Sequence, residues 1–335
     1  MWHEVRNLLC VRLDSLGDVL MTTPAMRALR QTFGCRLTVL TSPAGAALDG
    51  LLPEADEVLA WRAPWMKGTP AGDDLAFLDK LRGFDAAAIF TVYSQSALPA
   101  AYLCRLAGIP RRLAHSRENP YHLLTDWVPD PEPASTVRHE VRRQLDLVAA
   151  VGGRTDDERL SFRVPCLARE RVAALELPSP LVVVHPGASA SSRRYPPESY
   201  ARALELLGCE VVFTGDAAER DLVEGVRAIM AVRSRSLAGQ LSLAELGALI
   251  EAADLVICNN TGPAHIAAAV GTPVVDLYAL TNPQHTPWQV ESRVLFHDVP
   301  CRNCYKSVCA TGGHECLRGV PPERVAAAAR ELLAA

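Results

Sequence analysis

Leu8-Leu9-Cys10-Val11-Arg12-Leu13 runs directly into Asp14-Ser15-Leu16-Gly17-Asp18, and this junction sets the architecture. The first six residues, apolar except for Arg12, read as a strand buried on both faces, as in a parallel sheet covered by helices. A polar turn follows, in which Gly17 permits a tight bend, and then a helical pattern that lasts to residue 33. The alternation recurs outward from there. Residues 36–40 and 86–92 read as further strands, and residues 126–133, with three prolines and three acids, as an irregular excursion before a helix at 137–151. The best boundary lies between Gly152 and Pro180. Beyond it a second series opens with a strand at 181–185 and a helix at 198–207. It continues through 209–213, 219–230, 243–252, 254–258 and 272–278 and closes with a helix at 321–333. Two such series predict an α/β protein of two Rossmann-like domains facing a central cleft. The expected domains are residues 1–165 and 166–335, with the last helix packing back on the first domain.

Composition agrees with that plan. At about 150 residues per domain, 335 residues suit two. Hydrophobic residues are 49% and charged residues 21%, which fits a folded globular chain. Lys plus Arg is 34 against 38 for Asp plus Glu, a net charge of −4, so there is no basic excess to neutralise a nucleic-acid backbone and no nucleic-acid partner is expected. No apolar run approaches the roughly 18 residues of a membrane span. Met1-Trp2-His3-Glu4-Val5-Arg6 puts a charge of each sign where a signal peptide would begin its apolar stretch, so the chain reads as cytoplasmic. Of the ten cysteines, Cys10, Cys35, Cys104, Cys166, Cys209 and Cys258 stand singly and read as reduced, mostly core residues. Cys301, Cys304, Cys309 and Cys316, with His314 close by, are enough ligands for a zinc ion, but their spacing matches no standard ribbon or finger. Structural zinc is therefore not expected there, nor any catalytic role.

Four stretches carry chemistry. Asp14 and Asp18 lie at the carboxyl end of the first strand, where open α/β sheets bind ligands. Asp18 reads either as a helix cap or as a catalytic carboxylate, and spacing leaves Asp14 as a competitor. The turn lacks the three-glycine spacing of a dinucleotide fingerprint, which disfavours NAD or FAD in this half. His185-Pro186-Gly187-Ala188-Ser189 opens a loop of small residues that ends in Arg193-Arg194, a pattern suited to a diphosphate. Cys258-Asn259-Asn260-Thr261-Gly262-Pro263-Ala264-His265 leads from a strand into a helix whose N-terminus attracts phosphate. Asn260 and Thr261 are read there as extra side-chain donors, with His265 one turn in. Thr214-Gly215-Asp216-Ala217-Ala218-Glu219 offers acids suited to a ribose or a base amine, the weakest signal of the four.

Taken together, these segments resemble the bacterial glycosyltransferase family 9, the lipopolysaccharide heptosyltransferases. The resemblance is carried by Val11-Arg12-Leu13-Asp14-Ser15-Leu16-Gly17-Asp18-Val19-Leu20, by His185 to Ser189 with Arg193, and by Asn260-Thr261-Gly262-Pro263-Ala264-His265 with Gly271-Thr272-Pro273-Val274. Leu280-Thr281-Asn282-Pro283 and the cysteine-rich segment fit the second-heptosyltransferase branch most closely. The resemblance implies a GT-B fold and an inverting, metal-independent transfer of heptose from ADP-heptose to a hydroxyl of a lipopolysaccharide inner-core acceptor. It implies an acceptor on the N-terminal side, the nucleotide sugar on the C-terminal side, and no cofactor. It maps the catalytic base onto Asp18, which directly follows the glycine of the motif. Ser189 and Arg193 would hold the diphosphate with Thr261 and Gly262; Asn260 and His265 fall on donor-contacting positions and Glu219 near the nucleoside. Arg12, Arg111 and Arg112, with Arg138, Arg142 and Arg143, are the candidate contacts to an anionic, glycan or glycolipid acceptor. A lipid-linked acceptor would bring the enzyme to the cytoplasmic face of the inner membrane. Two departures stand near the donor: Ala279-Leu280 where many members carry Gly-Pro, and Asn260 where some carry Asp. The rival readings are a related transferase with another nucleotide sugar or acceptor, a nucleotide-sugar epimerase, and a non-catalytic nucleotide-sugar sensor.

Overall fold

The computed structural model describes residues 2–66 and 74–335. The chain divides into two compact units, Met1–Arg163 and Val164–Ala335, two residues short of the expected boundary. The first unit holds β1 (Asn7–Arg12), α1 (Leu16–Phe33), β2 (Arg36–Thr41), β3 (Glu57–Ala60), α2 (Asp74–Lys80), β4 (Ala86–Ile89), α3 (Leu98–Leu106), β5 (Arg111–Ser116), β6 (Asp126–Pro129) and α4 (Glu140–Ala149). The second begins with α5 (Cys166–Ala173), β7 (Val182–His185), α6 (Pro197–Leu207), β8 (Val211–Phe213), α7 (Arg220–Ala228), β9 (Ser234–Ser236) and α8 (Leu243–Ala252). It ends with β10 (Leu255–Asn259), α9 (Gly262–Val270), β11 (Val274–Leu277), β12 (Ser292–Leu295), α10 (Glu315–Arg318) and α11 (Pro322–Leu333).

Both sheets have six parallel strands, in the orders β3-β2-β1-β4-β5-β6 and β12-β11-β10-β7-β8-β9. Counted within each unit, both read 3-2-1-4-5-6, the doubly wound Rossmann order. Strand order reverses between β1 and β4 in one sheet and between β7 and β10 in the other, and a crevice at the carboxyl ends is forced at each of those points. The central strands are apolar and sealed: Leu8 to Cys10, Val182 to Val184 and Leu255 to Val256 have no exposed surface. Their partners come from helix faces, such as Ala100, Ala101 and Leu103 of α3 on the first sheet and Tyr200, Ala201 and Leu204 of α6 on the second.

Helix α1 carries Pro24 in its interior, which removes the N–H that would bond the Leu20 carbonyl. The Thr23 hydroxyl donates to that carbonyl at 2.7 Å and restores the missing partner. Gly34 ends the helix in the left-handed region at φ 60°, where a side chain would be strained.

Two sequence expectations need correction. The 126–133 excursion contains β6, which hydrogen-bonds to one neighbour only, so Pro129 costs the sheet little at its edge. Helix α4 begins at Glu140, three residues later than the pattern suggested, because the side chain of His139 accepts the Val141 N–H and caps it there. Val325, Ala328, Ala329 and Leu332 of α11 pack into the core of the second unit with α6.

Candidate active site

At the reversal point of the first sheet, Ser15 is the N-cap of α1 and Asp18 is its third residue. Asp18 Oδ2 accepts from the Ser15 N–H at 3.0 Å and from the Ser15 hydroxyl at 2.6 Å, while Oδ1 accepts from the Arg12 guanidinium at 3.1 Å. The helix-capping and catalytic readings of this residue are therefore compatible: the bonds that close the first turn also fix the carboxylate. Arg12 has no exposed surface and meets three carboxylates, Asp14 at 3.0 Å, Asp18 at 3.1 Å and Glu140 at 2.7 Å. Glu140, also fully buried, arrives from α4 and takes a second bond from Gln144 at 2.6 Å. Asp14 accepts from Gln95 at 2.6 Å and lines a cavity of about 380 Å³ with Trp65, Met66, Thr91 and Ser96. Burial pushes its carboxyl up to about 6, Arg12 pulls it down, and the Asp18 charge pushes it up again.

The arginines expected to meet an acceptor all have partners within the first unit. Arg12 is sealed under its three carboxylates. Arg112 is buried and donates to the carbonyls of Leu123 at 2.6 Å and His122 at 3.0 Å, and to that of Ile109. Arg111 pairs with Glu4 at 2.9 Å. Arg138 is held by Glu132 and Asp146, Arg142 by Glu158, and the buried Arg143 by Asp130, Glu132 and the Thr91 carbonyl. Arg12, Arg112 and Arg143 close backbone or carboxylate groups that folding has removed from water, a use that local sequence does not reveal, whereas Arg111, Arg138 and Arg142 each pair with a partly exposed acid.

In the second unit, three loops meet at the carboxyl ends of β7, β8 and β10. The connecting residue is Asn259, fully buried. Its amide donates to the carbonyls of Pro186 at 2.8 Å and Gly187 at 3.3 Å, and its oxygen accepts from the Tyr195 N–H at 3.0 Å. This staples the small-residue loop to the end of β10. Glu219 closes the other side: a Cβ placed on Gly187 would lie 2.1 Å from its carboxyl group, so only glycine lets the two approach. Glu219 Oε2 accepts from the Asp216 N–H at 3.0 Å and stands 3.5 Å from Nε2 of His185, whose imidazole is bonded to Thr214 at 3.0 Å. Burial lowers the His185 pKa, opposed by the Glu219 charge, so the ring is neutral at physiological pH.

Beside this loop, α9 begins without a side-chain cap. Thr261 is its N-cap, but the Thr261 hydroxyl donates to the Asn259 carbonyl at 3.2 Å instead of capping the helix. Pro263 has no N–H to satisfy, which leaves the Gly262 N–H and the positive end of the helix dipole for an anion. Ser189 is exposed and Arg193 half-buried, and the Arg193 charge acts on Tyr278 after β11, so its guanidinium stands near that strand's end. His265 is buried, only 4% exposed, one turn into α9. Asn260 is held by its amide, which donates to Asp276 Oδ2 at 3.0 Å and to the His285 carbonyl at 2.6 Å. Ser189, Arg193, Glu219, Thr261 and Gly262 thus share one set of stapled loops, with Asn260 turned toward β11.

A match to the family model described as glycosyltransferase family 9 (heptosyltransferase) covers residues 79–314. The chain belongs to that family. Over 322 residues the enzyme is 26% identical to lipopolysaccharide heptosyltransferase 1 of Pseudomonas aeruginosa, covering 90% of this chain and 87% of that protein. It is 27% identical to lipopolysaccharide heptosyltransferase 3 of Escherichia coli over 295 residues, 82% of each chain. Among solved structures, E. coli ADP-heptose lps heptosyltransferase II superposes with a TM-score of 0.77 over 98% of both chains at 24% identity. The pair of parallel six-stranded sheets is the GT-B fold.

Asn259, Asp276 and Glu140 are the site residues that sequence reasoning missed. Only Asp276 left a local signal, an acid inside the apolar strand Val274-Val275-Asp276-Leu277. Among the described residues, no three His, Cys, Asp or Glu side chains are grouped so as to hold a metal ion, and Cys301, Cys304, Cys309 and Cys316 are free thiols. No helix among the described residues is long and apolar enough to cross a membrane.

Proposed function

We propose that this family 9 glycosyltransferase moves a heptose from ADP-heptose to a hydroxyl of a lipopolysaccharide inner-core acceptor, with inversion and without a metal ion. The observation that carries the donor half is the uncapped N-terminus of α9 beside the loop of Ser189 and Arg193, a built anion site on stapled backbone. As the bond from the anomeric carbon to the diphosphate breaks, ADP gains negative charge. Arg193 and the Thr261-Gly262 end of α9 stabilise that charge, the task a divalent cation performs in other transferases. Glu219, beside Gly187, takes the nucleoside end. Asp18, held by Ser15 and Arg12, accepts the proton of the acceptor hydroxyl as that oxygen attacks the face opposite the phosphate. The names of the relatives, lipopolysaccharide heptosyltransferases 1 and 3 and the ADP-heptose enzyme of E. coli, support the choice of sugar and acceptor. The reaction belongs to the cytoplasmic side of the inner membrane, where a lipid-linked acceptor would present its sugar.

Calorimetric titration of ADP-heptose, ADP and UDP into the wild type and Asp18→Ala, with EDTA present, tests this reading. ADP-selective binding that survives both EDTA and the substitution is the expected result. A preference for UDP, or binding lost with EDTA, would overturn it.

A further inference from the structure

Asn260 is the donor-side residue whose chemistry the structure defines most tightly. Both of its amide protons are taken, one by Asp276 Oδ2 at 3.0 Å and one by the His285 carbonyl at 2.6 Å. The His285 carbonyl can only accept, so the amide cannot be turned over: a flipped side chain would set its oxygen against that carbonyl. Asp276 is fully buried in β11, in register with Cys258 of β10, and its other oxygen has no hydrogen-bond partner among the described residues. Its interaction with the surrounding polar groups is therefore concentrated on Asn260. What Asn260 has left for a ligand is Oδ1 alone, an acceptor.

An acceptor cannot hold a diphosphate oxygen, which near neutral pH is itself an acceptor; it can hold a hydroxyl. This reverses the expectation that Asn260 adds a donor to the anion site. The sheet order says which hydroxyl. Glu219, assigned to the nucleoside, follows β8, on one side of β7; Asn260, Asp276 and His285 lie by β10 and β11, on the other. With the diphosphate at the α9 N-terminus between them, the transferred sugar falls on the Asn260 side. Resting on the proposed donor site, we propose that Asp276 is a positioning residue which, with the His285 carbonyl, commits Asn260 to accept a hydrogen bond from a hydroxyl of the transferred sugar, and so selects the sugar rather than the nucleotide.

The test is calorimetric titration of ADP and ADP-heptose into the wild type, Asp276→Leu and Asp276→Asn, with thermal melts to establish folding. The wild type should bind ADP-heptose more tightly than ADP. In Asp276→Leu the preference should fall at least about fivefold, the lower end of what an unsatisfied buried partner costs, with ADP affinity within about twofold of wild type. Asp276→Asn offers an oxygen to the same Asn260 proton and should keep the preference. If Asp276→Leu does not fold, Asp276→Ala takes its place in the same titrations. A preference intact in the leucine or alanine variant, or equal losses for ADP and ADP-heptose, would overturn the role of Asp276 and leave the donor assignment standing. No preference in the wild type itself would overturn the donor assignment and this inference together.

Discussion

Replacing Arg12 with leucine isolates the most heavily charged point of the first unit. The guanidinium is the one cation in contact with Asp14, Asp18 and Glu140 among the described residues, and neither it nor Glu140 has any exposed surface. Removing one partner from a buried ion pair leaves the other charge without water or counter-charge, a loss of about 3–5 kcal/mol. At about 2–4 °C per kcal/mol for a domain of this size, the melting temperature should fall by about 6–20 °C near neutral pH. The pH dependence separates charge from packing. In the wild type Asp14 is already raised to about 6, burial being the largest cause, and Arg12 is the strongest influence holding it down. Without Arg12, the folded-state pKa of Asp14 rises further above its unfolded value. A raised carboxylate costs stability above its folded pKa, and that cost disappears as pH falls toward the unfolded value near 4. The deficit of Arg12→Leu should therefore be largest at pH 8 and shrink steadily toward pH 5. Melts of both proteins by circular dichroism across that range decide the matter. A wild-type melting temperature, or a deficit of the same size at pH 8 and pH 5, would refute the view that Asp14 and Glu140 depend on this buried cation.

Two further outcomes follow from the site. Asp18→Asn keeps size and capping oxygen but cannot take a proton, so kcat should drop by about 10²–10⁴ while ADP-heptose binding, followed by calorimetry, stays near wild type. Gly187→Ala places a methyl 2.1 Å from the Glu219 carboxyl group and must push that side chain aside. ADP affinity should fall by about tenfold, some 1.4 kcal/mol. Since the damage passes through Glu219, Gly187→Ala combined with Glu219→Ala should bind ADP no more weakly than Glu219→Ala alone, and additive losses would sink the explanation.

The two series of strands and helices were legible because each central strand is a short apolar run bounded by turn residues, and such runs have little choice but a doubly covered sheet. The loops at the carboxyl ends were legible for the same reason: once the strands are placed, Gly17-Asp18, Gly187-Ala188-Ser189 and Asn260-Thr261-Gly262 fall where such sheets bind ligands. What could not be read was the fate of charge. Arg12 looks like any arginine at a strand end, and its principal partner, Glu140, lies 128 residues away. Arg112 points back to carbonyls at 109 and 122–123, a turn closure that its sequence neighbours do not announce. Edge strands escaped because pairing on one side tolerates proline and polar residues, as in Asp126-Trp127-Val128-Pro129. Asp276 is the omission that sequence could have prevented, since an acid inside a buried parallel strand must find a partner, and the amide two residues past the end of the adjacent run was in reach.

Arg12 and Asn260 put the same device to different use. Each lies at the carboxyl end of a strand at its sheet's reversal point, and each is locked by a carboxyl group from another element: Glu140 of α4 in one case, Asp276 of β11 in the other. Asp276 does not help the fold by being there. Burial pushes Asp276 up to about 7, far above its unfolded value, so its ionisation costs stability as pH rises through that value, and a well-packed apolar residue would avoid the cost. What the acids supply is direction. A guanidinium shared among three carboxylates can hold Asp18 in only one place, and an amide with both protons committed can present only its oxygen. Placement of that kind lowers the barrier of a transfer reaction by removing reorganisation at the moment of chemistry. Under the proposed function, the first unit fixes the group that receives the proton and the second fixes the group that reads the sugar.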